Sequence, residues 1–201
     1  MDKKKIKIAP MDFPKDKDEI NEWTAKYGKT PEYQSIHHFI MEDDTYRGLG
    51  EVINTNHEIF PIGDDERKLA FTAKTDDGEI VAWVLIDVFD LSTQKPEMFL
   101  QYIVINPKYQ HQGYGTEIAK EIFLSPEKYV GVKPKNIFAY IDIANAASIM
   151  LFSKFNFSFV PMENSHYFRA QTTKAKLLDS HFENIVFDEP TSAENGSTLG
   201  E

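Results

Sequence analysis

Strict alternation of apolar and polar residues marks the first element. Lys5-Ile6-Lys7-Ile8-Ala9 reads with period two and Pro10 closes it, which predicts a short strand. Residues 16–27 set Ile20, Trp23 and Ala25 among charges, and residues 35–41 carry Ile36, Phe39 and Ile40 at helical spacing, so two modest helices follow. Residues 42–67 show no period, and Gly48, Gly50, Pro61 and Gly63 interrupt any regular element; the expectation is a long functional loop. Two apolar runs, residues 68–74 and 79–88, flank Asp76-Asp77-Gly78, whose glycine provides the positive φ of a tight turn, and this predicts a hairpin. A strand over 98–105 then leads through Pro107 and two glycines into a helix over 116–123, with Ile118, Ala119, Ile122 and Phe123 on one face. Residues 136–143 read as a buried strand, 146–155 as a nearly all-apolar helix, and 157–160 and 166–171 as two closing strands. The order predicts a mixed α/β (α+β) fold.

Composition narrows the class. The 201 residues are 41% hydrophobic, with 15 Phe, 9 Tyr and 2 Trp, enough for one full core. We find no internal repeat and no interior linker rich in Pro, Gly or Ser, so the expectation is one domain over residues 1–172. An extension over 173–188 retains apolar residues able to pack, and a tail over 189–201, rich in Pro, Ser, Gly and Glu, is expected to be disordered. A net charge of −10 argues against a broad nucleic-acid surface. No run approaches the roughly 18 apolar residues that span a bilayer, and the basic residues Lys3 to Lys5 lack the apolar stretch of a signal peptide. With no cysteine, thiolate nucleophiles, disulfides and Cys-based metal sites are excluded, and a cytoplasmic location is expected.

The most informative stretch runs from Tyr102 through Ile103-Val104-Ile105-Asn106-Pro107-Lys108-Tyr109 to Gln110-His111-Gln112-Gly113-Tyr114-Gly115-Thr116: a strand, a proline-marked turn, then glycines opening a helix. The first amide N–H groups of a helix lack intrahelical acceptors and sit at the positive end of its dipole, so such a turn can cradle phosphate without many basic side chains. A kinase-type loop requires lysine after the second glycine, and here Thr116-Glu117 follows. A dinucleotide fingerprint requires Gly or Ala where this chain has Ile118. Two glycines alone are equally compatible with a plain tight turn.

The surroundings change that balance. Gln110, Gly113 and Gly115, spaced Q-x-x-G-x-G after a strand ending Ile105-Asn106-Pro107, resemble motif A of the GNAT superfamily of acyl-CoA-dependent N-acetyltransferases. A second stretch is similar to the family pattern N-x-x-[AS]-x-x-L-Y-x-K-x-G-F. Asn145, Ser148, Leu151, Lys154 and Phe157 match in register, Asn156 replaces glycine, and Phe152 replaces tyrosine. Asn is the next best residue for a left-handed helix end. The order of elements over residues 5–171 is also similar to the family's.

The resemblance implies a central mixed, largely antiparallel sheet in which the family's strands 4 and 5, here 98–105 and 136–143, run parallel and splay apart. It implies acetyl-CoA as co-substrate, with no metal. The pantetheine arm would pair with the backbone around Ile103, Val104 and Ile105, and Asn145, Ser148 and Phe152 would border it. The diphosphate would rest on Gln110, His111, Gln112, Gly113, Tyr114, Gly115 and Thr116. The turn is unusually neutral, leaving Lys108 as the nearest cation along the sequence. The implied reaction moves acetyl to a primary amine by direct attack in a ternary complex. The acceptor is a small molecule or peptide, cationic if the acidic balance is a guide, and met without nucleic acid or membrane. A homodimer is compatible with exposed strand edges.

An alkyl amine with a pKa of about 10.4 is mostly protonated at neutral pH, so such a reaction gains from a base. Tyr140 and Asp142 share a strand face by period two and are the catalytic candidates, with Gln101 and Tyr102 as further ones. Beside this stand plainer readings: Tyr140 as a half-buried aromatic and Asp142 as a cap for the following helix. Because Phe152 lacks the hydroxyl that the family's tyrosine uses as an acid, a catalytically weak acyl-CoA-binding or partner-binding module is the alternative. His37-His38 lack the spacing of metal ligands, and the acidic groups at 42–44 and 64–66 read as solvated faces flanking an acceptor region.

Overall fold

The computed structural model describes residues 3–12, 15–16, 18–20, 22, 60–63 and 65–179. The predicted helix over 35–41, most of that over 16–27, and the tail over 189–201 lie outside the described residues. Strands β1 (Ile6–Pro10), β2 (Phe60–Gly63), β3 (Glu66–Thr75), β4 (Ile80–Phe89), β5 (Glu97–Ile105), β6 (Asn136–Asp142), β7 (Ser158–Pro161) and β8 (Tyr167–Thr173) form one sheet. Its order is β1-β3-β4-β5-β6-β8-β7, with β2 also on β3. Helices α1 (Tyr114–Leu124), α2 (Pro126–Val130), α3 (Ala146–Ser153) and α4 (Lys174–Asp179) complete the described elements. Among the described residues no helix is long and apolar enough to cross a membrane.

The predicted β3–β4 hairpin forms: Gly78 has φ +88° and its N–H donates to the Thr75 carbonyl at 2.9 Å. The expected loop over 42–67 is corrected at its end, because Phe60–Gly63 pairs with the start of β3. Pro61 does not break this strand: among the described residues β2 is bonded only to β3, and an edge strand tolerates a residue without an N–H. Helix α2 was not foreseen; Pro126 opens it and the left-handed Gly131 ends it within two turns, too short to show a period.

The sheet is antiparallel except where β6 joins β5, and that parallel pairing is confined to Glu97↔Asn136, Met98↔Ile137 and Phe99↔Phe138. Beyond it β5 continues on β4 alone and β6 on β8 alone, so the two strands part in a V. Gln101 marks the bend. Leu85 opposes Tyr102 and Ile86 opposes Leu100, so Gln101 is an extra residue bulged out of β5. A bulge sharpens local twist and re-aims a strand, which accounts for the divergence beginning there. The larger core cluster lies on one face, where Val84, Ile86, Met98, Ile118, Ile122, Ile137 and Phe155 are fully buried. A smaller cluster of Met11, Ile20, Trp83, Leu85 and Val104 lies on the other. Leu177 of α4 is buried in the larger cluster, so the start of the C-terminal extension is packed.

Candidate active site

The loop after β5 is held from below by its own side chains. Asn106 donates to the Ile80 carbonyl at 3.0 Å and accepts from the Lys108 N–H at 3.1 Å, capping a short 3-10 turn over Pro107–Tyr109. Glu79 receives Lys108 Nζ at 2.7 Å, Lys4 Nζ at 3.1 Å and the Tyr109 hydroxyl. These donors, Lys108 first, pull its carboxyl down to about 2. Gln110 Nε2 reaches back to the Ile105 carbonyl at 3.2 Å, and Gln112 Nε2 to the Lys108 carbonyl at 2.9 Å. Two side chains that the family resemblance set against the diphosphate therefore donate to the backbone of the loop itself.

With the base fixed, the chain turns into α1 through two left-handed residues, His111 at φ +59° and Gly113 at φ +79°. Gly113 is the N-cap residue, where a Cβ would be strained by that φ. The Glu117 N–H donates to the Gly113 carbonyl at 3.2 Å as the first helical bond, so the amides of Tyr114, Gly115 and Thr116 precede the ladder. This end of α1 faces a cavity of about 360 Å³, lined by Ile103 and Ile105 of β5, by Gln110, His111, Gly113, Tyr114, Gly115 and Thr116, and from α3 by Asn145, Ser148, Leu151 and Lys154, among others. The two stretches singled out in sequence thus meet across one space.

Asn145 sits at the start of α3 and accepts the Ser148 N–H on Oδ1 at 3.0 Å, so it serves as a helix cap while lining the cavity. Asn156, in the family's glycine position, takes φ +55°. Val104 and Gln112 do not line the cavity, and neither does Phe152. Phe152 is 2% exposed, with ring centroids 4.8 Å from Phe157 and 5.7 Å from Phe123. Its position on α3 turns it into the core while Leu151 faces the space. Lys108, the nearest cation in sequence, is committed to Glu79; the ammonium beside the cavity is that of Lys154, 3.4 Å from Thr116 Oγ1. Sequence had already matched Lys154 to the second pattern without giving it a role.

Across the sheet, at the root of the V, lies a different surface. Phe99 stacks on Phe138 with centroids 5.0 Å apart and planes 11° apart, and Tyr140 tilts against Phe99 at 5.2 Å. Arg169 lies 4.4 Å over the Phe138 ring and 3.9 Å from Glu97. Tyr140 is 43% exposed. Asp142, on the same face, is 5% exposed; its Oδ1 accepts the Ala144 N–H at 2.7 Å, and Oδ2 has no partner among the described residues. Asp87 was missed in sequence because it sits inside an apolar run. Opposite Phe99 in register, it is 6% exposed, with Oδ1 unpartnered among the described residues. Burial lifts its carboxyl to about 6, against a pull from Lys68 and with a push from Glu66. The Gln101 Oε1 is likewise buried and, among the described residues, without a partner.

A mixed sheet whose parallel strands part beside a glycine turn, with a helix start facing the gap, is the architecture of the GNAT fold. The chain belongs to the acetyltransferase (GNAT) family, whose model matches residues 31–157. Among solved structures it resembles the spermidine N-acetyltransferase of Vibrio cholerae in complex with CoA and spermine, at 13% identity and a TM-score of 0.56, over 87% of this chain and 98% of that one. A chimera of the Vibrio cholerae enzyme SpeG with hSSAT aligns at 13% identity and 0.55, over 87% and 98%. A dodecameric form of the Vibrio cholerae enzyme in an intermediate state aligns at 12% and 0.50, over 87% and 96%. At such identities the likeness is one of fold. A search of curated protein sequences returns no match.

Proposed function

We propose that the protein is an N-acetyltransferase that moves acetyl from acetyl-CoA to a primary amine by direct attack within a ternary complex. The observation that carries this reading is the parted β5–β6 pair opening beside the cavity that the glycine turn closes. Strand edges freed by the splay offer backbone donors and acceptors suited to the amides of a pantetheine arm. The first-turn amides of α1 suit a diphosphate, and glycine at 113 and 115 lets it come close. Acetyl-CoA supplies an acyl thioester, whose acetyl passes from sulfur to the amine nitrogen while the nitrogen loses a proton and the thiolate gains one.

The acceptor enters from the opposite face, past Phe99, Phe138 and Tyr140. The Phe138 ring already carries the Arg169 guanidinium, so a cationic amine would meet the exposed Tyr140 ring and the carboxylates Asp87 and Asp142, in keeping with the chain's net charge of −10. Spermine, named with the similar Vibrio cholerae structure, is therefore a first acceptor to try. Proton removal falls to carboxylates on this face, Asp142 or Asp87, directly or through water, with Tyr140 beside them.

The test is release of free CoA thiol from acetyl-CoA over a panel of polyamines, aminoglycosides and amino-terminal peptides. Amine-dependent thiol release supports the reading. One observation favours the alternative, a CoA-binding module without turnover: the helix position where the family carries a tyrosine hydroxyl is a phenylalanine sealed in the core. Calorimetric binding of CoA with no thiol released by any amine would decide for the module.

A further inference from the structure

We propose that the diphosphate of the acyl carrier is neutralised by two lysines from outside the glycine turn, Lys154 at the end of α3 and Lys3 of the amino-terminal segment. The proposal rests on the acyl-CoA reading above. A diphosphate carries charge that amides alone meet only in part, and the turn itself, residues 109–116, holds no Lys or Arg. Lys108, the one lysine of the loop, is turned away onto Glu79 at 2.7 Å.

The tertiary structure brings two other ammonium groups to the first turn of α1. Lys154 lines the cavity with Nζ at 3.4 Å from Thr116 Oγ1, and among the described residues it has no carboxylate within ion-pairing distance. Lys3 Nζ lies 3.5 Å from where a Cβ on Gly113 would stand and 4.9 Å from the Tyr114 ring centroid. The placement of Lys3 is fixed rather than incidental. The buried Tyr114 hydroxyl accepts the Lys4 N–H at 2.9 Å and donates to the Lys4 carbonyl at 3.2 Å, and the Lys4 side chain is tied to Asp77 and Glu79. A segment remote in sequence is thereby clipped to the phosphate-facing end of the helix.

Glu117 explains why a cation is needed there. A carboxylate in the first turn suits the helix dipole but opposes a bound anion, and Lys3 offsets it through a 2.6 Å ion pair with Oε2. Lys3 is thus shared with Glu117, whereas Lys154 has no carboxylate partner among the described residues. Of the two, Lys154 is expected to matter more.

Calorimetric titration of CoA, dephospho-CoA and pantetheine into the wild type, Lys154→Gln, Lys3→Gln and Lys108→Gln tests this. The expected result is a Kd about tenfold higher for Lys154→Gln and about threefold higher for Lys3→Gln, with CoA and dephospho-CoA alike. Lys108→Gln should stay within about twofold of wild type, and added salt should weaken the wild type more than either active variant. Lys154→Arg should recover most of the loss. All three lysines are solvent-facing, so unchanged melting temperatures would separate binding from folding. Wild-type affinity in both Lys154→Gln and Lys3→Gln overturns the proposal. A loss with CoA but none with dephospho-CoA places the lysines on the 3′-phosphate and overturns the diphosphate assignment. If the wild type binds neither nucleotide, it is the acyl-CoA reading that falls, and the proposal with it.

Discussion

The two sides of the β5–β6 opening are built on different principles. The side facing α1 and α3 is made of backbone: helix-start amides, a left-handed glycine, a strand edge, and side chains such as Gln110 and Asn145 whose bonds hold that backbone in shape. The side carrying Phe99, Phe138, Tyr140 and Asp87 is made of side chains, with stacked rings and a carboxylate that lacks a full set of partners among the described residues. A ligand common to many enzymes can be held by main chain, whose geometry needs only a few permissive residues. A ligand that differs between enzymes has to be met by side chains, which leave no fixed pattern.

The largest effect is expected where the backbone side depends on one conformation. Gly113→Val forces a β-branched residue to φ +79° and should destabilise the fold by about 2–3 kcal/mol while abolishing measurable CoA binding; Gly115→Ala, whose Cβ would meet Ile105 at an ordinary 3.7 Å, should leave stability unchanged or slightly raised. Equal losses for both would erase the distinction between the two glycines.

On the other face, Asp87 holds a raised carboxyl, so its ionisation opposes folding. That penalty is absent below its unfolded value of about 3.9 and is complete once the pH has risen past about 6. Asp87→Asn should therefore stabilise the protein by roughly 1–3 kcal/mol at about pH 8 and by little at about pH 4, read from denaturant unfolding. A gain independent of pH would point to packing rather than charge. Third comes Phe152→Tyr, which buries a hydroxyl among Phe123 and Phe157 and is expected to lose about 1–2 kcal/mol with no rise in turnover. A faster enzyme would show that the side chain leaves the core during reaction. The smallest effect is that of Asn145→Ala, about 1 kcal/mol in thermal unfolding from the lost cap of α3, with weaker CoA binding alongside.

The backbone side was legible in sequence for the reason it works. Positive φ, a helix start and a proline turn each leave a local residue signature, so Asn156 could be placed on a left-handed position, and the helix opening at the glycines after Pro107, from type and spacing. The edge strand Phe60–Gly63 was hidden because pairing with β3 is a long-range event that overrides Pro61 and Gly63. Phe152 was misplaced because a pattern match gives the position on a helix but not the direction of the side chain. Here α3 is apolar nearly all round, so no polar face marks which side meets the core. Asp87 left no signal at all, a single acid within ten strand residues.

By itself the sequence determined the hairpin at Asp77-Gly78, the strand–turn–helix holding the two glycines, and the resemblance of that stretch to the GNAT family, because main-chain conformation is dictated by neighbours a few residues away. Only the tertiary structure decided that Lys154 and Lys3, rather than Lys108, stand at the glycine turn, that Phe152 is core, and that Asp87 is buried against Phe99. Charge proximity and burial depend on which distant segments fold together, and no local pattern encodes that.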